Sequence, residues 1–414
     1  MKLRYFFLSV FMIGIGCHPK PVQHAVKPNP CEPYQPCDTM VVWKILQATD
    51  SSLVSPWGLN PTLIGDDKLL YSIEDPITTP TIVRLINVNT QKLIWEWKEY
   101  IFGTTGGFSS YEVVDDKYLY LNSNHEHYCI DLETGHTVWS HQLPMKNGDY
   151  LTSHFGDKIF NFRWFLGGAF PDSTILYMAD IHDGIWQPIF KTRKDEGADG
   201  YSSSLKPPSV YIDDQGDTIL IFQDRRGRPN PNPRFDTELY SYNLTKKEVK
   251  WRVKHIAPTD VSNQINPPVL DLDNKRVYFL TRFTVFCFDL ETGAEIWKVP
   301  LDYAGVVSGN YLLSHGKLIT KTDQGYLIAF DADTGARVYY EKMGGCCVDN
   351  IKVVGDRIYF TDQEIFVADV NTGKLKWRYS GWGKFYMGVA VDEANGVMYG
   401  VGTQYLYAME IPKY

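Results

Sequence analysis

Two adjacent cysteines, Cys346 and Cys347, are the residues of this 414-residue chain whose arrangement most directly suggests chemistry. They follow Gly344 and Gly345 in a short glycine-rich segment. Neighbouring cysteines can close a strained disulfide ring, and strained disulfides are the redox-labile ones. The alternative, which we favour, is that two small residues fill a tight loop and carry no chemistry. The pair supplies the candidate cofactor-binding residues of the chain.

Other residues are of the types that bind metals. His125 and His127 lie two positions apart, which places both imidazoles on one side of a strand, but no third ligand is near them in the sequence. The run Asp213–Asp217 is rich in carboxylates, yet its position is typical of a solvated hairpin turn. Cys31 and Cys37 can close a small disulfide loop or pair on a metal, although no second pair follows at suitable spacing. The sequence therefore predicts no metal site and no catalytic residue.

The first seventeen residues have the features of an export signal. Two basic residues precede an apolar run that is too short to span the ~30 Å hydrocarbon core of a bilayer. The run ends in Gly14-Ile15-Gly16-Cys17, which resembles the bacterial lipobox, the motif whose cysteine is lipidated after cleavage. We expect residues 1–17 to be a lipoprotein signal peptide with Cys17 as the lipidation site. Ordinary cleavage near Gly16 is the alternative.

Residues 18–40 have the composition of a tether. This segment contains six prolines and no hydrophobic periodicity, which favours an extended and stiff spacer. No later segment is apolar for long enough to predict a transmembrane helix. We expect the folded domain to occupy residues 41–414.

Composition excludes two classes of protein. Hydrophobic residues make up 44% of the chain and aromatic residues 14%, so the chain can form a large core and is not disordered. The formal net charge is -8, and the charges are spread rather than clustered. A nucleic-acid-binding surface needs a basic stripe, so we expect no nucleic-acid partner.

One phrase recurs along the chain: Asp, two residues, Thr-Gly, three residues, then Trp. Clear copies occupy 131–139, 289–297 and 369–377, a copy at 331–339 ends in tyrosine, and worn copies lie at 87–95, 180–186 and 243–251. The residues that define the repeat are Gly135, Gly293, Gly335, Gly373, Trp95, Trp139, Trp251, Trp297 and Trp377, together with Trp43 on an isolated strand near the start.

Each part of the phrase has a mechanical explanation. An Asp before Thr-Gly forms a hairpin turn, because its side chain bonds the turn and glycine adopts positive φ without strain. The Trp then lies on the next strand, where its ring can cover the seam between neighbouring sheets. Two further short strands precede each phrase, so each unit predicts a four-stranded antiparallel blade. Cys129 and Cys287 share a position with Ala329, Ala368 and Ala408, which indicates buried packing sites.

The two ends of the chain complete the count of blades. The last unit lacks its outer strand, and the strand around Trp43 has no unit before it. If that strand joins the last blade, the ring closes and no sheet edge is left to aggregate. We therefore predict an all-β, eight-bladed β-propeller of four-stranded blades, closed by the N-terminal strand.

The phrase resembles the repeat of quinoprotein dehydrogenases and of their non-enzymatic relatives, which include the propeller lipoprotein of the bacterial outer-membrane protein assembly machine. The resemblance covers nearly the whole mature chain. For an enzyme of this family it implies pyrroloquinoline quinone (PQQ), a calcium site of Glu, Asn and Asp, a catalytic Asp and a vicinal disulfide over the quinone. Of these, the sequence offers Cys346-Cys347, and the haem motif Cys-x-x-Cys-His that many such enzymes carry is absent.

We therefore expect a non-catalytic, monomeric scaffold that binds envelope proteins and needs no cofactor. The lipid on Cys17 attaches the protein to a membrane. An Asp after the lipidated cysteine often signals retention in the inner membrane, and His18 stands there instead. We therefore prefer the outer membrane, with the propeller facing the periplasm. The first alternative is an oxidoreductase that uses PQQ and calcium near Cys346-Cys347. The second is a carbohydrate-binding propeller, suggested by Trp164, Trp186 and Trp382.

A stretch with four arginines and several prolines, residues 225–234, interrupts the fourth unit. Its charge can bind an anionic partner. We favour the simpler prediction of a solvated loop.

Overall fold

The computed structural model describes residues 41–47, 59–74, 81–99, 110–123, 126–142, 152–162, 174–192, 202–228, 234–254, 256, 267–281, 283–301, 307–322, 324–343, 351–379, 385–402 and 405–411. These residues form strands and turns, and none of them lies in a helix. Accordingly, the described part of the chain contains no helix long and apolar enough to cross a membrane. The strands form eight antiparallel sheets arranged in a ring, which confirms the eight-bladed propeller.

The blades follow one another along the chain. Blade 1 contains β2 (Thr62–Ile64), β3 (Lys68–Glu74), β4 (Thr81–Asn87) and β5 (Lys92–Trp97). Blade 2 contains β6 (Ser110–Val114), β7 (Tyr118–Ser123), β8 (Glu126–Asp131) and β9 (Thr137–Gln142). Blade 3 contains β10 (Thr152–Phe155), β11 (Lys158–Phe162), β12 (Ile175–Asp180) and β13 (Gln187–Lys191). Blade 4 contains β14 (Ser202–Leu205), β15 (Ser209–Ile212), β16 (Thr218–Arg228), β17 (Arg234–Asn243) and β18 (Glu248–Val253).

The second half repeats the pattern. Blade 5 contains β19 (Val269–Asp271), β20 (Arg276–Leu280), β21 (Thr284–Asp289) and β22 (Glu295–Pro300). Blade 6 contains β23 (Val307–Ser314), β24 (Lys317–Thr322), β25 (Tyr326–Asp331) and β26 (Arg337–Lys342). Blade 7 contains β27 (Lys352–Val354), β28 (Arg357–Thr361), β29 (Ile365–Asp369) and β30 (Leu375–Tyr379). Blade 8 contains β31 (Phe385–Asp392), β32 (Val397–Gly402), β33 (Tyr405–Glu410) and β1 (Val41–Leu46).

The N-terminal strand closes the ring, as the sequence predicts. β1 pairs with β33 from Val41 opposite Met409 to Leu46 opposite Tyr405. Trp43 lies opposite Ala408, just as Trp139 lies opposite Cys129 in blade 2. β1 therefore takes the outer position that the last unit lacks.

The phrase turns are held by their aspartates. The Asp131 carboxylate accepts hydrogen bonds from the backbone N–H and the hydroxyl of Thr134, at 2.8 and 2.9 Å, and from the backbone N–H of Glu133. These bonds, the one from the Thr134 N–H foremost, lower the pKa of Asp131. The same bonds form at Asp289, Asp331 and Asp369.

The outer-strand aromatic rings seal the seams between blades. The indole N–H of Trp95 donates to the carbonyl of Leu132 in blade 2 at 2.8 Å, and Trp139, Trp251 and Trp297 reach the next blade in the same way. Gly135 lies under the Trp95 ring, so close that a Cβ there would be 2.6 Å from Cγ of the indole. Glycine in the phrase therefore serves two purposes, positive φ in the turn and contact with the preceding blade.

Lys247 occupies the glycine position of the blade 4 phrase at a φ of 58°. The strand before it in the ring, β13 of blade 3, has no tryptophan of the kind that covers the phrase glycine in other blades. A side chain fits there, but the left-handed backbone still costs about 1–2 kcal/mol in a residue with a Cβ. We expect Lys247→Gly to raise the free energy of unfolding by about 1 kcal/mol, measured by urea denaturation. An unchanged or lower value would contradict this account of the glycine.

The two cysteines predicted to be core residues are buried, which confirms the prediction. Cys129 and Cys287 are inaccessible to solvent, and burial raises the pKa of each thiol to about 12. Placing Ala368 in the same position was wrong. Val367 faces Trp377 in blade 7, because Val367, like Cys129, lies two residues before the Asp of its phrase, whereas Ala368 lies one residue before it.

Because consecutive strands run antiparallel, their connections lie alternately on two opposite faces of the ring. The turns between first and second strands and the phrase turns lie on one side, here named the turn face. The connections between second and third strands and between blades leave from the opposite side, the connection face. Among the described strands, β16 and β17 of blade 4 are the longest, and β14 and β15 pair end to end along β16, which extends this blade at the connection face.

This extension corrects the prediction of a loop for residues 225–228 and 234, whereas residues 229–233 of that stretch lie outside the described residues. Arg225, Arg226 and Arg228 continue β16, and Arg234 begins β17. β14 pairs with this part of β16, from Ser202 opposite Gly227 to Leu205 opposite Asp224, which keeps the hairpin in the sheet.

Candidate functional site

Most of the candidate residues from the sequence lie outside the described residues. These are Cys17, Cys31, Cys37, His125, Trp164, Trp382, Cys346 and Cys347. His127 is described and is buried: its ring bonds the Tyr120 hydroxyl and lies 5.1 Å from the Trp186 ring centroid. Its environment is therefore that of a core histidine, and Trp186 packs in the same cluster.

The described residues do not fit the calcium site that a quinone enzyme requires. Within them, one group of three or more carboxylate, imidazole or thiol side chains converges, namely Asp157, Asp180 and His182 on the turn face. Lys158 already binds both carboxylates, Asp180 at 2.5 Å and Asp157 at 3.4 Å, and its hydrogen bond lowers the pKa of Asp180. Calcium prefers six to eight oxygen ligands. We derive no chemistry through calcium or PQQ from these residues.

The seams between blades differ in the side chain that lies two residues after the aromatic residue of the phrase. In the seam of blades 1 and 2, Trp97 is almost fully buried, with its ring centroid 5.1 Å from that of Tyr128. In the seam of blades 7 and 8, Tyr379 packs edge-on against Tyr407 at 6.3 Å. At the seam of blades 5 and 6 the position equivalent to Trp97 is Val299, and the position equivalent to Tyr128 is Ile328.

These smaller residues leave a groove of about 330 Å³, here named the blade 5–6 groove. Its floor is formed by Ile328 and Phe330, each 1% exposed. Val299 and Leu301 of blade 5 form one wall, and Arg337 and Tyr340 of blade 6 form the other. The groove is apolar at depth and basic at its edge.

A stack of four side chains forms the blade 6 wall. The rings of Tyr326 and Tyr340 lie parallel within 19°, with centroids 4.4 Å apart. The Arg337 guanidinium lies 5.4 Å from the Tyr340 ring centroid, and the Lys342 ammonium lies 4.3 Å from the Tyr326 centroid. Burial, and then the neighbouring Tyr326 hydroxyl, raises the pKa of Tyr340. The faces of the two rings attract the cations.

Arg337 differs from the other arginines whose side chains the structure describes. Arg84, Arg252, Arg276, Arg357 and Arg378 each form an ion pair with a carboxylate. Arg337 forms none with the described residues, and its contact there is with the face of Tyr340. Its N–H groups thus remain available to a ligand at the edge of the groove.

Sequence reasoning did not find this groove. The signal was present in the repeat, because aligning the phrases puts Val299 beside Trp97 and Tyr379. This alignment indicates a groove only when it is known that the side chain at this position fills the seam.

A family model described as outer membrane protein assembly factor BamB matches residues 281–394. This segment runs from blade 5 to the first strand of blade 8 and includes every residue of the blade 5–6 groove. No curated protein sequence matches the chain.

Three solved structures share the fold. BamB from Moraxella catarrhalis is 12% identical, with a TM-score of 0.59 over 89% of this chain and 99% of that chain. A europium-containing methanol dehydrogenase is 12% identical, with a TM-score of 0.61 over 89% and 93%. Sqt1 from Saccharomyces cerevisiae is 10% identical, with a TM-score of 0.61 over 90% and 99%. At these identities the similarity shows the fold, and one fold can carry different functions.

Proposed function

Because the chain is a β-propeller of PQQ-type repeats, we propose that it is a cell-envelope lipoprotein whose propeller binds other proteins and catalyses no reaction. The blade 5–6 groove carries this proposal, because it is an apolar surface with an available arginine at its edge, inside the segment that matches the BamB family model. Buried apolar contact with a charged rim is how protein interfaces are built. The description of that model supports a role in outer-membrane assembly.

The anchor belongs to the same proposal. Lipidated Cys17 holds the protein at the outer membrane, and residues 18–40 let the propeller reach its partners in the periplasm. We expect the Cys17→Ser variant to lose label from a radioactive or alkyne fatty acid and to move from the membrane fraction to the soluble fraction. A variant that stays in the membrane fraction without label would contradict lipid anchoring.

Photo-cross-linking in intact cells tests the binding function. A photoreactive amino acid at Pro300, an exposed residue of the groove, is compared with one at Lys98, the exposed equivalent on blade 1 beside a filled seam. We expect a discrete protein adduct from position 300 and none from position 98. Equal adducts at both positions, or none at either, would count against a docking surface at blades 5 and 6.

The quinone alternative is tested separately. Purified protein is titrated with PQQ and calcium, followed by absorbance and thermal shift, and the titration is repeated on Cys346→Ser. We expect no saturable binding in either protein. Binding that depends on Cys346 would overturn the non-catalytic proposal.

A further inference from the structure

We propose that the blade 5–6 groove binds an extended segment of a partner protein in which an aromatic side chain is adjacent to an acidic one. The aromatic ring occupies the space beside Val299 and Ile328, and the carboxylate binds Arg337. This inference rests on the proposed binding function and names the chemistry of the partner at that site.

The aromatic part follows from two other seams of the same ring, those of blades 1 and 2 and of blades 7 and 8. The backbone frame there accommodates a large ring two residues beyond the phrase aromatic: Trp97 in blade 1 and Tyr379 in blade 7 are both buried. In blade 5 the same place holds Val299, so the frame offers room for a ring that this chain does not supply. The floor of Ile328 and Phe330 is apolar, and Tyr340 adds an aromatic side chain to the lining of the groove.

The acidic part follows from Arg337. Five other described arginines hold a carboxylate, whereas Arg337 stacks on Tyr340 and keeps its N–H groups available. A guanidinium held by a ring is pre-oriented, and its planar donors match a carboxylate with two hydrogen bonds. Lys342, on the same wall, adds a second positive charge. A basic or uncharged segment would gain nothing from these groups.

The extended shape follows from the position of the groove. It runs along the seam between β22 and β26, the outer strands of two blades, from Arg337 towards Leu301. A chain lying along this seam rises about 3.3 Å per residue, so the residue next to the one in the groove lies close to its edge. One side chain of such a segment enters the groove while its neighbour reaches the rim.

The test uses four fluorescent octapeptides and the soluble protein, residues 18–414. The reference peptide carries Phe-Asp at its centre, flanked by glycine and serine, with both ends blocked. Three others replace Asp with Asn, replace Phe with Ala, or move Phe to a free C-terminal carboxylate with no Asp. Binding is measured by fluorescence anisotropy.

We expect saturable binding of the reference peptide and a loss of about tenfold to a hundredfold on changing Asp to Asn, the range that a charge-assisted hydrogen bond carries. Arg337→Gln should weaken the reference peptide by a similar factor, whereas Arg357→Gln, a surface arginine of blade 7 paired with Asp356, should not. Val299→Trp, which copies blade 1, should abolish binding. Arg337→Gln alters an exposed side chain, so it remains a test if the Trp variant fails to fold.

Absence of binding by the reference peptide, or binding that Arg337→Gln leaves unchanged, would overturn the inference. Tighter binding of the peptide with the free C-terminal carboxylate would also overturn it, because the carboxylate would then come from a chain end. These outcomes do not bear on the protein-binding function itself, which the photo-cross-linking in cells tests. Adducts at position 300 without peptide binding would support the protein-binding function and contradict the aromatic and acidic partner segment.

Discussion

Replacing Lys321 with methionine is expected to lower the free energy of unfolding by about 3–5 kcal/mol. Lys321, at the end of β24, and Asp362, just after β28, join blades 6 and 7 and are both fully buried. Their charged atoms lie 3.4 Å apart, and the ammonium also lies 5.1 Å from the Phe360 ring centroid. The variant removes the ammonium from a buried carboxylate, and removing one partner of a buried ion pair is costly.

Urea denaturation of three proteins measures this effect. They are the wild type, Lys321→Met, and the double variant Lys321→Met/Asp362→Leu. We expect the double variant to recover most of the lost stability, since an apolar pair of similar volume can replace a buried ion pair. If Lys321→Met is as stable as the wild type, the pair does not hold these two blades together.

The second large effect is expected at Gly135. Substitution by alanine there costs about 1–2 kcal/mol for the left-handed backbone at a φ of 72°. It costs about 1–3 kcal/mol more because the new Cβ meets the Trp95 ring, as overpacking of a filled site does. The total loss is therefore several times that of an ordinary surface substitution.

Gly156 provides the matched control. It has a φ of 53°, and no atom lies within 4 Å of the position of its Cβ, so Gly156→Ala carries only the backbone cost. The difference in unfolding free energy between the two variants measures the contact between blades. Equal losses would show that the phrase glycine serves the turn alone.

Much of this fold could be predicted from the sequence because its repeat is local. Asp131, Thr134 and Gly135 form a turn through contacts among themselves, so the residues of the phrase determine the turn without help from distant residues. The closing strand could be predicted because Trp43 fits the repeat and has no unit of its own. Neither inference needed knowledge of a distant contact.

What could not be predicted depends on residues far apart in the chain. Lys321 and Asp362 are 41 positions apart and meet only when neighbouring blades pack. The arginine-rich stretch of blade 4 has the composition of a loop, but pairing with β14 keeps it in a sheet. The blade 5–6 groove arises from the small size of Val299 and Ile328 at positions that the blade 1–2 and blade 7–8 seams fill with rings. The absence of an aromatic side chain leaves no sequence motif, so only the comparison of blades reveals the groove.

The measurement that tests the central claim most directly is cross-linking from position 300 in cells that carry either the otherwise unchanged protein or Val299→Trp. If the blade 5–6 groove is the docking surface, the protein adduct forms in the first case and is lost when the indole fills the groove, at equal protein levels and in the same membrane fraction. An adduct that persists at full yield in Val299→Trp would contradict the claim, because the partner would then bind this face without entering the groove.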